Sequence, residues 1–142
     1  MISPPSLNVL ETIFNECRTI AVVGLSSNPS RPSHAVARYM QEQGYRVIPV
    51  NPNEAYVLGV PAYFTLSAVS EPIDLVSVFR RPDQVEPIVL DGIALGVRAI
   101  WLQEGIIHEQ AAERARRAGL LFVMDRCWLK EHSRLRSSRG LS

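Results

Sequence analysis

Thr19-Ile20-Ala21-Val22-Val23-Gly24-Leu25-Ser26-Ser27-Asn28-Pro29-Ser30-Arg31-Pro32-Ser33 is the stretch that decides how this chain folds. Its opening run, Thr19 to Val23, is apolar or β-branched without interruption, the pattern of a strand buried on both faces. The run stops at Gly24 and passes through hydroxyls, Asn28 and Pro29. It then reaches Ser33, an N-cap for an amphipathic stretch through Gln43 that Gly44 closes. A buried strand, a polar loop and a helix in that order predict one unit of a parallel sheet.

The same order recurs downstream. Tyr45 to Val50 is a second strand, with Pro49, which lacks an N–H, placing its end nearby, and Asn51-Pro52-Asn53 is a turn. Ile73 to Phe79 is a third strand that stops at Arg80-Arg81-Pro82, where Pro82 opens a helix towards Leu95 and Gly96. Arg98 to Leu102 is a fourth, a helix from His108 to Ala118 ends at Gly119, and Leu120 to Val123 is the last strand. Between Glu54 and Glu71 the pattern supports only a short strand or one helical turn around Ala62 to Ala68, and Asn8 to Cys17 and Cys127 to Leu135 read as flanking helices.

Strands alternating with helices need right-handed crossovers, so the expected architecture is an α/β, Rossmann-like, doubly wound, mainly parallel sheet in three αβα layers. One domain over residues 1–142 is expected, with 1–18 a helical flank and 134–142 a flexible tail carrying Arg134, Arg136 and Arg139. A chain of 142 residues with 46% hydrophobic and 20% charged content sustains a core without staples.

Composition also excludes function classes. A net charge of +1 gives no general reason to bind nucleic acid or an anionic membrane. No apolar run approaches the roughly 20 residues of a membrane helix, and no signal sequence opens the chain, so a cytoplasmic location is expected. Cys17 and Cys127 form no C-x-x-C pair, and His34, His108 and His132 occupy unrelated positions, so no metal site is indicated. There is no G-x-S-x-G and no H-E-x-x-H, and no catalytic residue is assigned.

In such sheets ligands lie beyond the carboxyl ends of the strands, at the point where strand order reverses. After the first strand, Gly24, Ser26, Ser27, Arg31 and Ser33 combine a glycine at the strand end, hydroxyl donors, a cation and a helix start, which together make a phosphate cradle. An ordinary polar loop with Ser33 as a cap explains the same residues equally well. Neither G-x-G-x-x-G nor G-x-x-x-x-G-K-[ST] is present. After the second strand stands Asn51, where NAD-binding domains place an acidic residue. A carboxamide can donate to a phosphorylated ribose, so Asn51 leans towards coenzyme A or NADP, although Asn-Pro is also a common turn opener. Phe79 and Arg80 end the third strand, with Arg80 favoured over Arg81 for phosphate because it is nearer the strand tip. Gln103, after the fourth, either meets a ligand or bonds neighbouring backbone. Asp125-Arg126 reads as an ion pair or a helix-start feature.

With these residues in place the sequence resembles the CoA-binding domain family, small stand-alone relatives of the N-terminal domain of the succinyl-CoA synthetase α subunit. The resemblance runs from about Thr19 to Trp128. It is carried by Ala21 to Ser26, Arg31-Pro32-Ser33, Gly44 to Pro52, Leu58-Gly59, Asp74-Leu75-Val76, Val78 to Pro82, Trp101-Leu102-Gln103, Ala118-Gly119-Leu120 and Met124 to Cys127. It implies coenzyme A, or an acyl-CoA, along the strand ends, with Gly24, Ser26, Arg31 and Ser33 near the phosphates. Asn51 would lie near the ribose or adenine, and Phe79, Arg80 and Gln103 further along. In the synthetase the phosphorylated histidine belongs to a further domain, so the resemblance implies binding rather than catalysis. The alternatives are a small NADP- or nucleotide-dependent oxidoreductase and a ligand-free interaction subunit, and the protein partners considered are a second copy or an enzyme subunit.

Overall fold

The computed structural model describes residues 5–139, apart from the Arg139 side chain. Along the chain run α1 (Leu7–Glu16), β1 (Thr19–Val23), α2 (Pro32–Glu42), β2 (Arg46–Val50), β3 (Tyr56–Val57) and β4 (Val60–Pro61). There follow β5 (Leu75–Val78), α3 (Val85–Leu95), β6 (Ala99–Leu102), α4 (Glu109–Arg117), β7 (Leu121–Val123) and α5 (Trp128–Arg139). Short 3-10 turns occupy Leu66–Ala68 and Pro82–Gln84. The apolar opening run is an internal strand of a five-stranded sheet, in the order β2-β1-β5-β6-β7, and every pairing in it is parallel. The Rossmann-like α/β architecture expected from the alternation is therefore present.

Because successive strand side chains point to opposite faces, the continuous apolar runs feed two cores. Ala21, Val23, Ile48, Val50, Val76, Val78, Ile100 and Leu102 pack on one face with Val85 and Val89 of α3 and Ala111 and Ala115 of α4. Ile20, Val22, Val47, Leu75, Ala99 and Trp101 pack on the other with Leu10, Ile13 and Phe14 of α1, Val36 and Met40 of α2, and Trp128 of α5. Cys17 is buried in this second core. Burial, with the Asp74 carboxylate as the next contribution, pushes its thiol up to about 12, so it stays protonated.

Several expectations need correction. Arg31 is the N-cap of α2 and makes no side-chain cap bond. Pro32 takes the first helical position, where its fixed φ fits and its missing N–H is not needed, so Ser33 falls one place inside the helix. The second strand ends at Val50, one residue past Pro49, as expected, with Val50 paired to Val23. The proline is tolerated because the outer neighbour of β2 is a single parallel bridge at Tyr63, whose N–H donates to the Pro49 carbonyl at 2.9 Å. The helical turn expected within Ala62 to Ala68 is present, but the β3–β4 hairpin before it was not expected. Residues 134–139, read as tail, are the final turns of α5, and 140–142 lie outside the described residues. Among the described residues Asp125 forms no ion pair with an arginine, Arg126 included. It takes a φ of +58° and accepts the Gly105 N–H at 2.8 Å, tying the β7 tip to the β6 tip.

Candidate functional site at the strand tips

The order reverses between β1 and β5, because β1 connects outward to β2 on one side and the chain then crosses to β5 on the other. Gly24 is the pin at this junction. Its N–H donates to Val50 at 2.8 Å, while the Phe79 N–H donates to Val23 at 2.9 Å, so the tips of β2, β1 and β5 are stitched together around it. Its φ is +89°, and a Cβ built there would stand 2.7 Å from the Phe79 carbonyl oxygen. Both facts require glycine.

The loop that follows largely satisfies its own donors. Ser26 donates its N–H to the Ser33 hydroxyl at 3.1 Å, Asn28 to the Ser26 hydroxyl at 3.1 Å, Ser30 to the Asn28 side-chain oxygen at 3.0 Å and Arg31 to the Asn28 carbonyl at 3.0 Å. The Ser26 and Ser33 hydroxyls act as acceptors in these bonds, which leaves their own hydrogens for another acceptor. Ser27 is different. Its N–H and its hydroxyl both donate to one oxygen of the Glu54 carboxylate, at 2.8 and 2.9 Å. An anion of the protein's own thus occupies part of the expected phosphate cradle.

Two clefts open on either side of Arg80. One, of about 450 Å³, is bounded by Pro32 and Val36 of α2, by Phe79 to Pro82, by Gln103 to Ile106 and by Cys127. The other, of about 540 Å³, lies on the α3 side and is lined by Val23, Val50, Pro52, Phe64, Arg80, Asp83 and Asp91 among others. Phe64 is 68% exposed there, a large apolar ring left to solvent.

Charge at this end is unbalanced in a specific way. Arg38, Arg46, Arg81, Arg98, Arg114, Arg117, Lys130 and Arg134 each pair with a carboxylate. Among the described residues Arg18, Arg31, Arg80, Arg116, Arg126 and Arg136 have no carboxylate partner; Arg18 and Arg116 instead lie over the Tyr45 and Phe122 rings, while Arg31, Arg80 and Arg126 each follow a strand tip or begin the helix behind one. Arg80 is half-buried and borders both clefts, whereas Arg81 is exposed and held by Asp83 at 3.4 Å. At the rim of the first cleft, Lys130 bonds both oxygens of Glu104, which pushes the ammonium pKa up.

The nine residues expected at the site all lie at this end, but they divide by how their side chains are used. Arg31, Arg80, the Phe79 ring and the Ser26 hydroxyl remain available. Asn51 is only 9% exposed: its amide donates to the Leu25 carbonyl at 3.0 Å and its oxygen accepts the Asn53 N–H at 3.0 Å. Gln103 is 3% exposed: its amide donates to Ser77 at 2.8 Å and its oxygen accepts the Trp128 N–H at 3.2 Å. Both carboxamides brace the site from behind. Among the described residues no group of three or more His, Cys, Asp or Glu residues could hold a metal, and no helix is long and apolar enough to cross a membrane.

A family model described as a CoA binding domain matches residues 18–133, which include every strand tip named above. The chain belongs to the CoA-binding domain family. Protein YneT of Bacillus subtilis (strain 168), itself uncharacterized, is 37% identical over 129 residues, covering 91% of this chain and 96% of its own. The cell-free ID.343 protein of Thermus thermophilus is 39% identical, with a TM-score of 0.87 over 92% of this chain and 99% of that one. The α subunit of the ADP-forming acetate–CoA ligase II of Pyrococcus furiosus is 31% identical over 93 residues, which are 65% of this chain but 20% of that subunit. This CoA-binding domain thus corresponds to a small part of that longer protein. Sequence reasoning about it missed Glu54, Phe64 and Val36: Val36 and Glu54 each stand three residues past a motif residue, Ser33 and Asn51, but what they face is decided by contacts with other parts of the chain.

Proposed function

We propose that this protein binds coenzyme A or an acyl-CoA across the tips of β1, β2, β5 and β6, and that it carries out no chemistry of its own. The observation that carries the reading is Arg80. A half-buried guanidinium without a carboxylate, seated between two clefts where strand order reverses, is a vacant partner for a phosphate. The ligand chemistry fits the residues present. The Ser26 hydroxyl hydrogen and Arg31 supply further donors beside the Gly24 turn, and a long ligand with a nucleotide at one end suits a pair of adjoining clefts. We place the nucleotide end on the Val50, Pro52 and Phe64 side and the pantetheine arm towards Phe79, Val36 and Cys127. The likeness to a part of an acetate–CoA ligase subunit supports the same ligand class.

A thermal-shift panel with CoA, acetyl-CoA, dephospho-CoA, NAD and NADP tests this. A ligand at 100-fold its Kd raises the midpoint by roughly 5–10 °C for a domain of this size. CoA and acetyl-CoA are expected to do so, and dephospho-CoA to act more weakly. Arg31→Ala is expected to reduce the shift while keeping the apo midpoint. A larger shift with NADP than with CoA would replace this reading with a nucleotide-dependent oxidoreductase, and no shift with any of them would favour an interaction subunit.

A further inference from the structure

The geometry points to Glu54 as the residue that sets ligand specificity at this loop: its carboxylate guards the Ser27 donors against small free phosphates and must be displaced by a ligand anchored elsewhere in the clefts. The inference rests on the phosphate-binding reading of the loop. Ser27 presents two donors that converge on a single oxygen, the arrangement a phosphate oxygen also accepts, and Glu54 fills it at 2.8 and 2.9 Å. Both bonds are exposed, so solvent competes for them and the carboxylate can rotate away. The backbone beneath it is fixed. The Asn51 side chain clasps Leu25 and Asn53, and the Glu54 N–H donates to the Asn51 carbonyl at 3.3 Å. Displacement therefore needs only a side-chain rotation.

A tethered carboxylate acts at high effective concentration, so a small anion with no other contacts competes poorly against it. It also repels any phosphate that arrives while it is in place. A ligand that already holds Arg80 and the apolar cleft walls can push it aside and gain the Ser27 donors. In that way a single acidic residue would make the loop respond to a whole nucleotide ligand and ignore inorganic phosphate or pyrophosphate.

The test is calorimetric titration of the wild-type protein, Glu54→Ala and Glu54→Gln with pyrophosphate and with CoA. Glu54→Ala is expected to bind both probes roughly tenfold or more tightly than wild type, with pyrophosphate binding emerging from near nothing. Glu54→Gln keeps an acceptor for Ser27 but removes the charge, so its gain is expected to be intermediate, and it decides the question if Glu54→Ala does not fold. CoA binding that is equal or weaker in both variants, without any gain for pyrophosphate, overturns the guard role and leaves the CoA reading standing. A pyrophosphate gain without CoA binding supports the guard and overturns the CoA reading, while no binding of either probe to any of the proteins overturns both.

Discussion

Replacing Gly24 with alanine tests the junction on which the site is built. At φ +89° a non-glycine residue pays for the left-handed backbone, about 1–2 kcal/mol. The new Cβ would also stand 2.7 Å from the Phe79 carbonyl oxygen, closer than such contacts ordinarily come. Neither partner is free to yield, because the Gly24 N–H is bonded to Val50 and the Phe79 N–H to Val23. Overpacking of this kind adds about 1–3 kcal/mol. Gly24→Ala should therefore lose about 2–5 kcal/mol in guanidinium denaturation, the sum of those two contributions. Gly59→Ala is the matched control. Its φ is +78° but nothing lies within 4 Å of the added atom, so it should lose only the backbone part, about 1–2 kcal/mol. If the two variants unfold at the same denaturant concentration, the close approach between β1 and β5 is not what demands glycine, and the reasoning fails.

Gln103→Leu should destabilise the protein by about 1–3 kcal/mol in the same assay, because Ser77 and the Trp128 N–H would lose their buried partner. An unchanged midpoint would show that the amide serves a ligand rather than the fold. His132 should make stability depend on pH. Burial of its ring, followed by the nearby Arg136 and Arg18 charges, holds its pKa below the ordinary 6.5. The unfolded chain therefore takes up the proton first, so this contribution is complete above about pH 6.5 and is lost as the pH falls through the folded value. His132→Phe, which keeps an aromatic ring against Trp128, should flatten the slope of the denaturation midpoint between pH 5 and pH 7. A slope equal to that of the wild type would exclude His132 as its source.

What could be read in the chain was set by how local the determining physics is. The strands at Thr19, Leu75 and Ala99 are apolar apart from Thr19 and Ser77, and their burial on both faces follows from that pattern. That the loops after them share one end of the sheet was legible too, because parallel topology dictates it. The β3–β4 hairpin was not, since strands of two residues with an exposed Tyr56 and a Pro61 carry no periodicity. Asn51 illustrates the limit at the site. Its position was legible, but its commitment to the Leu25 carbonyl depends on a contact across 26 residues. Glu54 gave only the weak signal of an acidic side chain just after the Asn-Pro turn, and its grip on Ser27 spans 27 positions. The Ser33 cap misled because the helix-start preference of a hydroxyl competes with the stronger preference of the adjacent proline.

The packing of α5 has a consequence for how the chain comes into being. Trp128 stacks on His132 with centroids 4.9 Å apart and meets Phe14 of α1 edge-on at 5.1 Å, and its backbone N–H donates to the Gln103 side-chain oxygen. Of the described elements, the one that emerges last from the ribosome therefore seals an aromatic seam begun by the one that emerges first. Until it arrives, Phe14 and Trp101 on the nascent protein have no lid. Co-translational maturation of the strand-tip site has to wait for the final helix, and a ribosome stalled before Trp128 would present an apolar surface for chaperones to recognise.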